Sequence, residues 1–206
     1  MPGILCNGFY VHQYMQSLPK EQILHSVHVR KYVKVLAEIT HTCNLYPEIA
    51  ETFEYELFGD AAYYHDIGKA CVPHDILLKP EKLTESEIRI VHNHTLYAEE
   101  LFDRIDSGAI SGMPALLTHL ARESAVYHHE WWNGRGYPYG LSNERIPLIA
   151  RITSVCDVYD AITSDRTYRK AHSHDFACHE IEINAGTQFD PVFAKAFLDN
   201  NSLFLV

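Results

Sequence analysis

The chain has 206 residues, 47% of them apolar, and carries a formal net charge of −10. This size and composition predict one soluble globular domain. No run of 18 apolar residues argues for a transmembrane helix, and the acidic surplus argues against a general DNA- or RNA-binding protein.

The N-terminal segment and the cysteines indicate the compartment. Residues 1–15 lack a basic region followed by a long apolar run, so no signal peptide is expected there. The five cysteines are odd in number, scattered and without a CxxC pair, a pattern typical of free thiols in the cytoplasm. Residues 1–18 show no clear period and are expected to form a loosely packed lead-in to a domain over residues 19–206.

The rest of the chain has the period of amphipathic helices. Apolar residues recur near every 3.6 positions from Pro19 to about Thr40, and again from Pro47 to about Tyr64. Capping residues and first-turn prolines predict the remaining helices, over about 75–78, 84–102, 114–128, 147–163, 173–184 and from 190 onward. No segment alternates as a strand would. We therefore predict an all-α bundle of seven or eight helices with a metal cluster in its core.

The segment His65-Asp66-Ile67-Gly68-Lys69 follows the apolar end of the second long helix. His65 and Asp66 are expected at the end of that helix, pointing inward. Such a pair can hold two neighbouring metal ions, with the carboxylate bridging both. Lys69 then brings a positive charge close to the metals, as catalysis on phosphate requires.

Further imidazoles and carboxylates lie on other predicted helices. The full set of candidate ligands is Glu21, His25, His65, Asp66, His94, His128, His129 and Asp157. Five imidazoles and three carboxylates are too many for one ion and suit two or three, held in the core of a helical bundle. Nitrogen and oxygen donors without cysteine argue against a structural zinc site and favour iron or manganese.

Each candidate also has a simpler interpretation. Glu21 and His25, four residues apart on one helix face, could be a solvated pair; His128 and His129 could be a frayed helix end, and Asp157 a buried cap. Taken together, these groups would leave helix after helix with unpaired buried polar atoms, at about 1–3 kcal/mol each. A metal centre is therefore favoured, and Glu21 and His25, surplus to a two-metal site, predict a third ion.

Three motifs carry a family resemblance: HDIGK at 65–69, HHE with NGRGYP within 128–138, and DVYDAITSDRTYR at 157–169. In this order they resemble the HD-GYP domain, a branch of the HD phosphohydrolase superfamily. The resemblance extends from about Glu21 to Phe197. It implies an all-α fold and a metal-dependent phosphodiesterase that acts on cyclic di-GMP.

The resemblance also implies roles by matched position. The eight candidate ligands match metal-binding positions, with Glu21 matching members that look trinuclear. Lys69, Arg166 and Arg169 match positions expected near substrate phosphates. Gly136-Tyr137-Pro138 is the loop that names the family, where Tyr137 either stacks on a base or packs the loop.

Two features depart from the family pattern. Asn133 stands where the family usually has aspartate, although Asn-Gly serves the same turn. The stretch between His94 and His128 is longer than usual, so the loop at 103–113 is expected to reshape access to the site. Neither departure removes a ligand.

The resulting hypothesis is hydrolysis of a cyclic dinucleotide, cyclic di-GMP first, to linear pGpG and onward to GMP. A hydroxide bridging two metals would attack phosphorus in line with the leaving oxygen, with Asp66 and Lys69 as catalytic residues. The same chemistry on cyclic GMP-AMP or another nucleotide is one alternative. Another is a signalling module with weak turnover that binds a protein partner through the GYP loop; a homodimer also stays open.

Overall fold

The computed structural model of the protein describes residues 11–46, 55–110, 113–165 and 170–205. These residues form ten α-helices and no strand, with only two isolated β-bridges. The helices are α1 Val11–Ser17, α2 Lys20–Thr42, α3 Tyr55–Ala62, α4 His74–Leu77, α5 Glu85–His92, α6 His94–Asp106, α7 Ala115–Tyr127, α8 Leu148–Thr163, α9 His174–Ile183 and α10 Pro191–Asp199. Short 3₁₀ helices cover Ile67–Cys71, Asn143–Arg145 and Asn201–Phe204. The all-α prediction is confirmed.

Helix starts follow the capping chemistry of the sequence. At α5 the Thr84 N–H donates to Glu87 Oε2 over 2.7 Å and the Glu87 N–H donates to Thr84 Oγ1 over 3.3 Å, which completes a capping box. At α10 the Asp190 carboxylate accepts from the Val192 N–H over 2.8 Å, with proline at the first helical position. These two helices begin where the local sequence predicted.

The segment before α2 differs from the expectation of a loosely packed lead-in. Residues 11–17 form α1, which packs on the 3₁₀ helix at 67–71. Val11, Met15 and Leu18 are buried in the core, because they fall on one face of this short helix. Seven residues are too few for a helical period to stand out in the sequence.

The helix predicted over 84–102 is broken at Asn93. The His94 Nδ1–H donates to the Val91 carbonyl over 2.6 Å, and the Thr95 hydroxyl donates to the His92 carbonyl over 3.1 Å. Side chains thus take carbonyls of the preceding turn, and α6 starts afresh at His94. His94 therefore opens a helix, where the sequence had placed it near the middle of one.

The end of α3 places the His-Asp pair. The predicted start of this helix, 47–54, lies outside the described residues, and α3 ends at Ala62. The His65 N–H donates to the Ala62 carbonyl over 3.0 Å in the turn that follows. His65 and Asp66 are both buried, as predicted, but in this turn and not in the helix itself.

Close backbone packing brings this turn to α6. A Cβ on Gly68 would lie 1.8 Å from the His94 carbonyl oxygen, so only glycine allows the 3₁₀ helix to lie this near. α2 packs against α3 and α8, and α7 packs against α3, α6 and α8. Side chains from α2, the turn, α6, α7 and α8 therefore meet in one place. None of the described helices has the length and hydropathy needed to cross a bilayer.

Candidate metal centre

The two oxygens of the Asp66 carboxylate face different groups of histidines. Oδ1 lies 3.5 Å from His94 Nε2 and 3.9 Å from His128 Nε2. Oδ2 lies 3.4 Å from His65 Nε2 and 3.8 Å from His25 Nε2. A carboxylate with imidazoles on both sides has the placement that a ligand bridging two cations requires.

Two clusters of potential ligands adjoin each other around this carboxylate. In each cluster, one ligand atom per residue lies within 4.8 Å of every other. The first cluster, called cluster A, comprises Asp66, His94, His128 and His129; the second, cluster B, comprises His25, His65 and Asp157. Seven of the eight predicted ligands are thus brought together.

The backbone fixes how three of the imidazoles point. The Nδ1 atoms lie 2.9 Å from the Ala62 carbonyl for His65, and 2.9 Å from the Ser124 carbonyl for His128. His94 Nδ1 makes the same contact with Val91, as described above. Because a carbonyl only accepts, Nδ1 carries the proton, and the Nε2 lone pair faces the centre. Metal-bound histidines are held in this way.

Burial keeps the imidazoles of cluster A neutral. It lowers the pKa of His94 to about 4 and that of His128 to about 3, and that of His129 falls well below its usual value. Repulsion between neighbouring imidazoles, if protonated, would also lower the pKa of His128 and of His129. Only neutral imidazole can bind a cation, so these side chains are ready to act as ligands.

His25 holds the middle of cluster B. Its Nε2 lies 2.9 Å from Asp157 Oδ1 and 3.2 Å from His65 Nε2, and its Nδ1 lies 2.6 Å from Asp160 Oδ2. Burial opposes protonation, but the hydrogen bonds to Asp157 and Asp160 raise the pKa of His25 to about 9. The carboxylates around His25 therefore attract a positive charge at the position where a cation would bind.

Orphaned atoms show that the residues fit divalent cations. Asp66 Oδ1, His94 Nε2 and His128 Nε2 are buried and make no hydrogen bond to any described residue. Leaving such atoms unpaired costs about 1–3 kcal/mol each. All three are good donors for a hard or borderline cation, and all three belong to cluster A.

Lys69 lies next to the Asp66 carboxylate. Its Nζ donates to Asp66 Oδ2 over 2.6 Å and to Gln22 Oε1 over 3.3 Å. Burial favours the neutral acid, yet Lys69 and the nearby imidazoles hold the pKa of Asp66 well below its usual value. The carboxylate is therefore ionised at neutral pH, and the ammonium group stands at the edge of the centre.

Glu21 lies apart from both clusters. It lines a small cavity of about 30 Å³ together with His25, His28 and Asp160. Neither cluster includes its carboxylate. Its role as a ligand of a third ion stays a prediction.

The sequence interpretation missed Asp160 as a site residue. The carboxylate is buried and accepts from His25 through one oxygen and from His28 Nδ1 through the other, at 2.8 Å. The available signal was the spacing of Asp157 and Asp160, because residues three apart share a helix face. His28 contacts this carboxylate and belongs to neither cluster.

The Gly-Tyr-Pro loop packs directly on the ligand segment. The Tyr137 ring stacks between His129, at a centroid distance of 4.8 Å, and His92, at 4.2 Å. A Cβ on Gly136 would lie 2.4 Å from the His129 carbonyl oxygen. Pro138 follows in the same loop. The loop thus holds His129 in place. The stacking of Tyr137 on His92 was not predicted from the sequence.

Glu130 anchors the outer side of this loop. Its buried carboxylate accepts from the Tyr139 N–H over 2.7 Å and from the Leu141 N–H over 3.0 Å. The third residue of the HHE motif therefore shapes the loop and does not join either cluster. Arg166 and Arg169, predicted to contact substrate, lie outside the described residues.

Comparisons with known proteins identify the family of the chain. The HD domain family matches residues 20–193. A cyclic di-GMP phosphodiesterase from Vibrio cholerae is 37% identical over 189 residues, which is 89% of this chain and 37% of the relative. A 3'3'-cGAMP-specific phosphodiesterase from the same organism is 31% identical over 178 residues, which is 86% of this chain and 32% of the relative.

A solved structure has the same fold. A HDG"Y"P protein from Bdellovibrio bacteriovorus matches with a TM-score of 0.58 at 16% identity, over 86% of this chain and 51% of that one. The chain belongs to the HD domain family, and its His65-Asp66 pair and Gly136-Tyr137-Pro138 loop are the features by which it resembles the HD-GYP branch. It spans less than half the length of the curated relatives it matches.

Proposed function

We propose that the chain is a metal-dependent phosphodiesterase that opens a cyclic dinucleotide. The observation that carries this proposal is the Asp66 carboxylate, shared between two neighbouring groups of imidazoles. Two adjacent divalent cations suit the in-line displacement at phosphorus that hydrolysis of a phosphodiester requires. Cyclic di-GMP is the first substrate, with linear pGpG as product and GMP after a second hydrolysis.

Each cluster would hold one cation, with Asp66 common to both. The donors are imidazole nitrogens and carboxylate oxygens, a set that favours iron or manganese. When bound, such ions supply Lewis acidity and lower the pKa of water. A third ion beside Glu21 belongs to this proposal as an extension.

Lys69 supplies the positive charge for the phosphate. Its side chain is 17% exposed, and its Nζ lies 2.6 Å from the bridging carboxylate. A phosphoryl oxygen that approaches Asp66 therefore meets this ammonium group, which stabilises the charge that develops on that oxygen. Gln22 holds the amine in that direction through its amide oxygen.

Further substrate contacts are proposed from the match of Arg166 and Arg169 to the family motif. Arg166 and Arg169 would bind a phosphate or a guanine edge, because a guanidinium group matches both by paired hydrogen bonds. Tyr137 is enclosed by two imidazole rings, so we assign it to holding the loop and His129 rather than to stacking on a base.

The four described cysteines are free thiols, which supports the cytoplasm as the compartment.

Cyclic GMP-AMP is the second candidate substrate. The relative named for 3'3'-cGAMP is 31% identical and the one named for cyclic di-GMP is 37% identical, which favours cyclic di-GMP. No described residue of the centre distinguishes guanine from adenine. A panel of substrates is therefore the appropriate test.

The experiment is turnover by protein loaded anaerobically with Fe²⁺ or Mn²⁺, on cyclic di-GMP, 3'3'-cGAMP and cyclic di-AMP. We expect linear dinucleotide to form fastest from cyclic di-GMP. Metal-loaded protein that hydrolyses none of the three would contradict the proposal and favour a signalling module that acts through the Gly-Tyr-Pro loop.

The matched variant is Asp66→Ala. It removes the carboxylate between the clusters, so we expect loss of turnover together with loss of bound metal. Metal content measured by mass spectrometry and rate measured in parallel decide the outcome. Near-normal metal content and rate in this variant would exclude Asp66 as the bridging ligand.

A further inference from the structure

Asp160 lies directly behind the metal centre. It is buried on α8, one helical turn beyond Asp157. Its Oδ2 accepts from His25 Nδ1 over 2.6 Å, and its Oδ1 accepts from His28 Nδ1 over 2.8 Å. The Ser164 hydroxyl also donates to Oδ1, over 3.0 Å. One carboxylate thus joins two imidazoles of α2 to α8.

His25 is anchored differently from its neighbours in the centre. His65, His94 and His128 donate Nδ1–H to backbone carbonyls of their own or the preceding turn. His25 lies inside the long helix α2, where carbonyls are taken by the helix itself. The Asp160 side chain provides the acceptor that the backbone provides elsewhere.

This contact decides which nitrogen of His25 faces the cations. Because Asp160 is an acceptor, His25 keeps its proton on Nδ1 and turns Nε2 toward Asp157 and His65. His28 occupies the other oxygen and so prevents the carboxylate from rotating away.

From this geometry we infer that Asp160 is a positioning residue that fixes the tautomer and ring direction of His25, with His28 as its support. The inference rests on the proposed function insofar as the centre binds divalent cations. It assigns Asp160 no contact with substrate. Carboxylates that hold ligand histidines contribute about 10–100-fold to metal affinity or activity.

Asp160→Asn tests the inference with little change in shape. The amide has one accepting oxygen and one donating nitrogen, so it cannot accept from both histidines. With the amide nitrogen toward His25, Nδ1 must accept and the proton moves to Nε2, which blocks the ligand position. With the amide oxygen toward His25, a neutral acceptor replaces the carboxylate, so Nε2 becomes a weaker donor to a cation. His28→Ala leaves the carboxylate intact but unsupported, so we expect a smaller effect.

A matched control is available in Asp190→Asn. Asp190 is also a buried carboxylate, and it accepts from Tyr46 over 2.5 Å and from Arg151 over 2.7 Å. It belongs to neither cluster. This variant should therefore lower the melting temperature without changing metal affinity, whereas a purely structural role for Asp160 would make both variants behave alike.

The measurement is calorimetric titration of metal-free wild-type protein and the three variants with Mn²⁺, and the visible spectrum of the Co²⁺-loaded forms. We expect Asp160→Asn to weaken binding at one site about 10–100-fold and to alter the Co²⁺ bands, with His28→Ala intermediate. Unchanged Mn²⁺ affinity and Co²⁺ bands in Asp160→Asn would overturn the inference, as would wild-type protein that binds no metal.

Turnover distinguishes this inference from the proposed function. Wild-type protein that binds Mn²⁺ but hydrolyses no cyclic dinucleotide would remove the proposed function. The affinities of the variants would still decide the role of Asp160. Wild-type turnover combined with unchanged affinity in Asp160→Asn would leave the function standing and remove the positioning role.

Discussion

The ammonium group of Lys69 and the carboxylate of Asp66 lie side by side where metal and substrate would meet. The ammonium group lies 2.6 Å from Oδ2, on the side that also faces His65. A cation bound between the histidines would take over the role of partner to this carboxylate. The lysine would then be available to the phosphate, so its main contribution belongs to the reaction and not to metal binding.

Lys69→Ala is therefore expected to keep its metals and its fold while losing rate. Removing one preorganised donor to developing charge typically lowers kcat about 10²–10³-fold. Metal content and kcat should be measured side by side with Lys79→Ala. Lys79 pairs with Glu87 at 2.8 Å, outside the centre, so that variant should keep full activity. Loss of metal from Lys69→Ala would move the lysine out of this role.

His25 makes metal binding depend on pH. Burial opposes its protonation, but bonds to Asp157 and Asp160 raise its pKa to about 9, so a cation must displace a proton at neutral pH. The affinity for Mn²⁺ should rise about tenfold per pH unit between pH 7 and 8. Calorimetry in buffers of different ionisation enthalpy should show one proton released from this residue; a His25→Ala variant that releases as many protons as wild type would contradict this.

The same shift affects the stability of the metal-free protein. The pKa of His25 is about 9 in the folded protein, against about 6.5 for an unperturbed histidine. Its contribution to stability is therefore fully present below about pH 6.5 and is lost as the pH rises toward 9. Thermal unfolding in the presence of a chelator measures this trend.

Helices were predictable where local chemistry starts them and not where tertiary contacts interrupt them. Thr84 with Glu87, and Asp190 with Pro191, start α5 and α10 through neighbours in sequence. The break at Asn93 depends on the His94 side chain and on the 3₁₀ helix packed against α6. The residue pattern within 84–102 does not indicate the contact between the 3₁₀ helix and α6.

Gly68 is the point where these two elements touch. Gly68→Ala would place a Cβ 1.8 Å from the His94 carbonyl oxygen, so the 3₁₀ helix must move away from α6. We expect destabilisation of about 1–3 kcal/mol or more, together with weaker metal binding because Asp66 and His94 separate. Chemical denaturation and metal titration measure both effects.

The control for removing a glycine is Gly108→Ala. Gly108 has φ of +74° and no neighbouring atom within 4 Å of an added Cβ, so only backbone strain of about 1–2 kcal/mol is expected. Metal affinity should stay at the wild-type value in that variant. Equal metal affinity in Gly68→Ala and Gly108→Ala would show that the close approach at Gly68 does not position the centre.

In the whole molecule, residue type and order were enough to predict seven side chains that the fold brings together, but not the contacts that orient them. His25, Asp66 and Asp157 lie far apart in sequence, yet His25 Nε2 lies 3.8 Å from Asp66 Oδ2 and 2.9 Å from Asp157 Oδ1. Asp160 was missed because its role depends on how α2 packs against α8. The stacking of Tyr137 on His92 likewise depends on loop packing and leaves no trace in the sequence.

The number of metal ions bound per chain is a property of the whole centre that can be measured directly. Glu21 lines a cavity of about 30 Å³ with His25, His28 and Asp160, and a cavity of about 10–15 Å³ already holds one water molecule. The space and its oxygen and nitrogen lining suit one further cation beside cluster B. We therefore predict three metal ions per chain in fully loaded protein, one of them held partly by Glu21.

Glu21→Ala should reduce the metal content from three ions toward two, because the pair of ions at Asp66 keeps all its ligands. We also expect impaired turnover, since the third ion is lost. Glu38→Ala is the matched control, since Glu38 is an exposed carboxylate on the same helix. Metal analysis of anaerobically loaded protein gives the stoichiometry directly. Wild-type protein that saturates at two ions, with the same content in Glu21→Ala, would leave His25 as a ligand of a two-metal centre and Glu21 outside it.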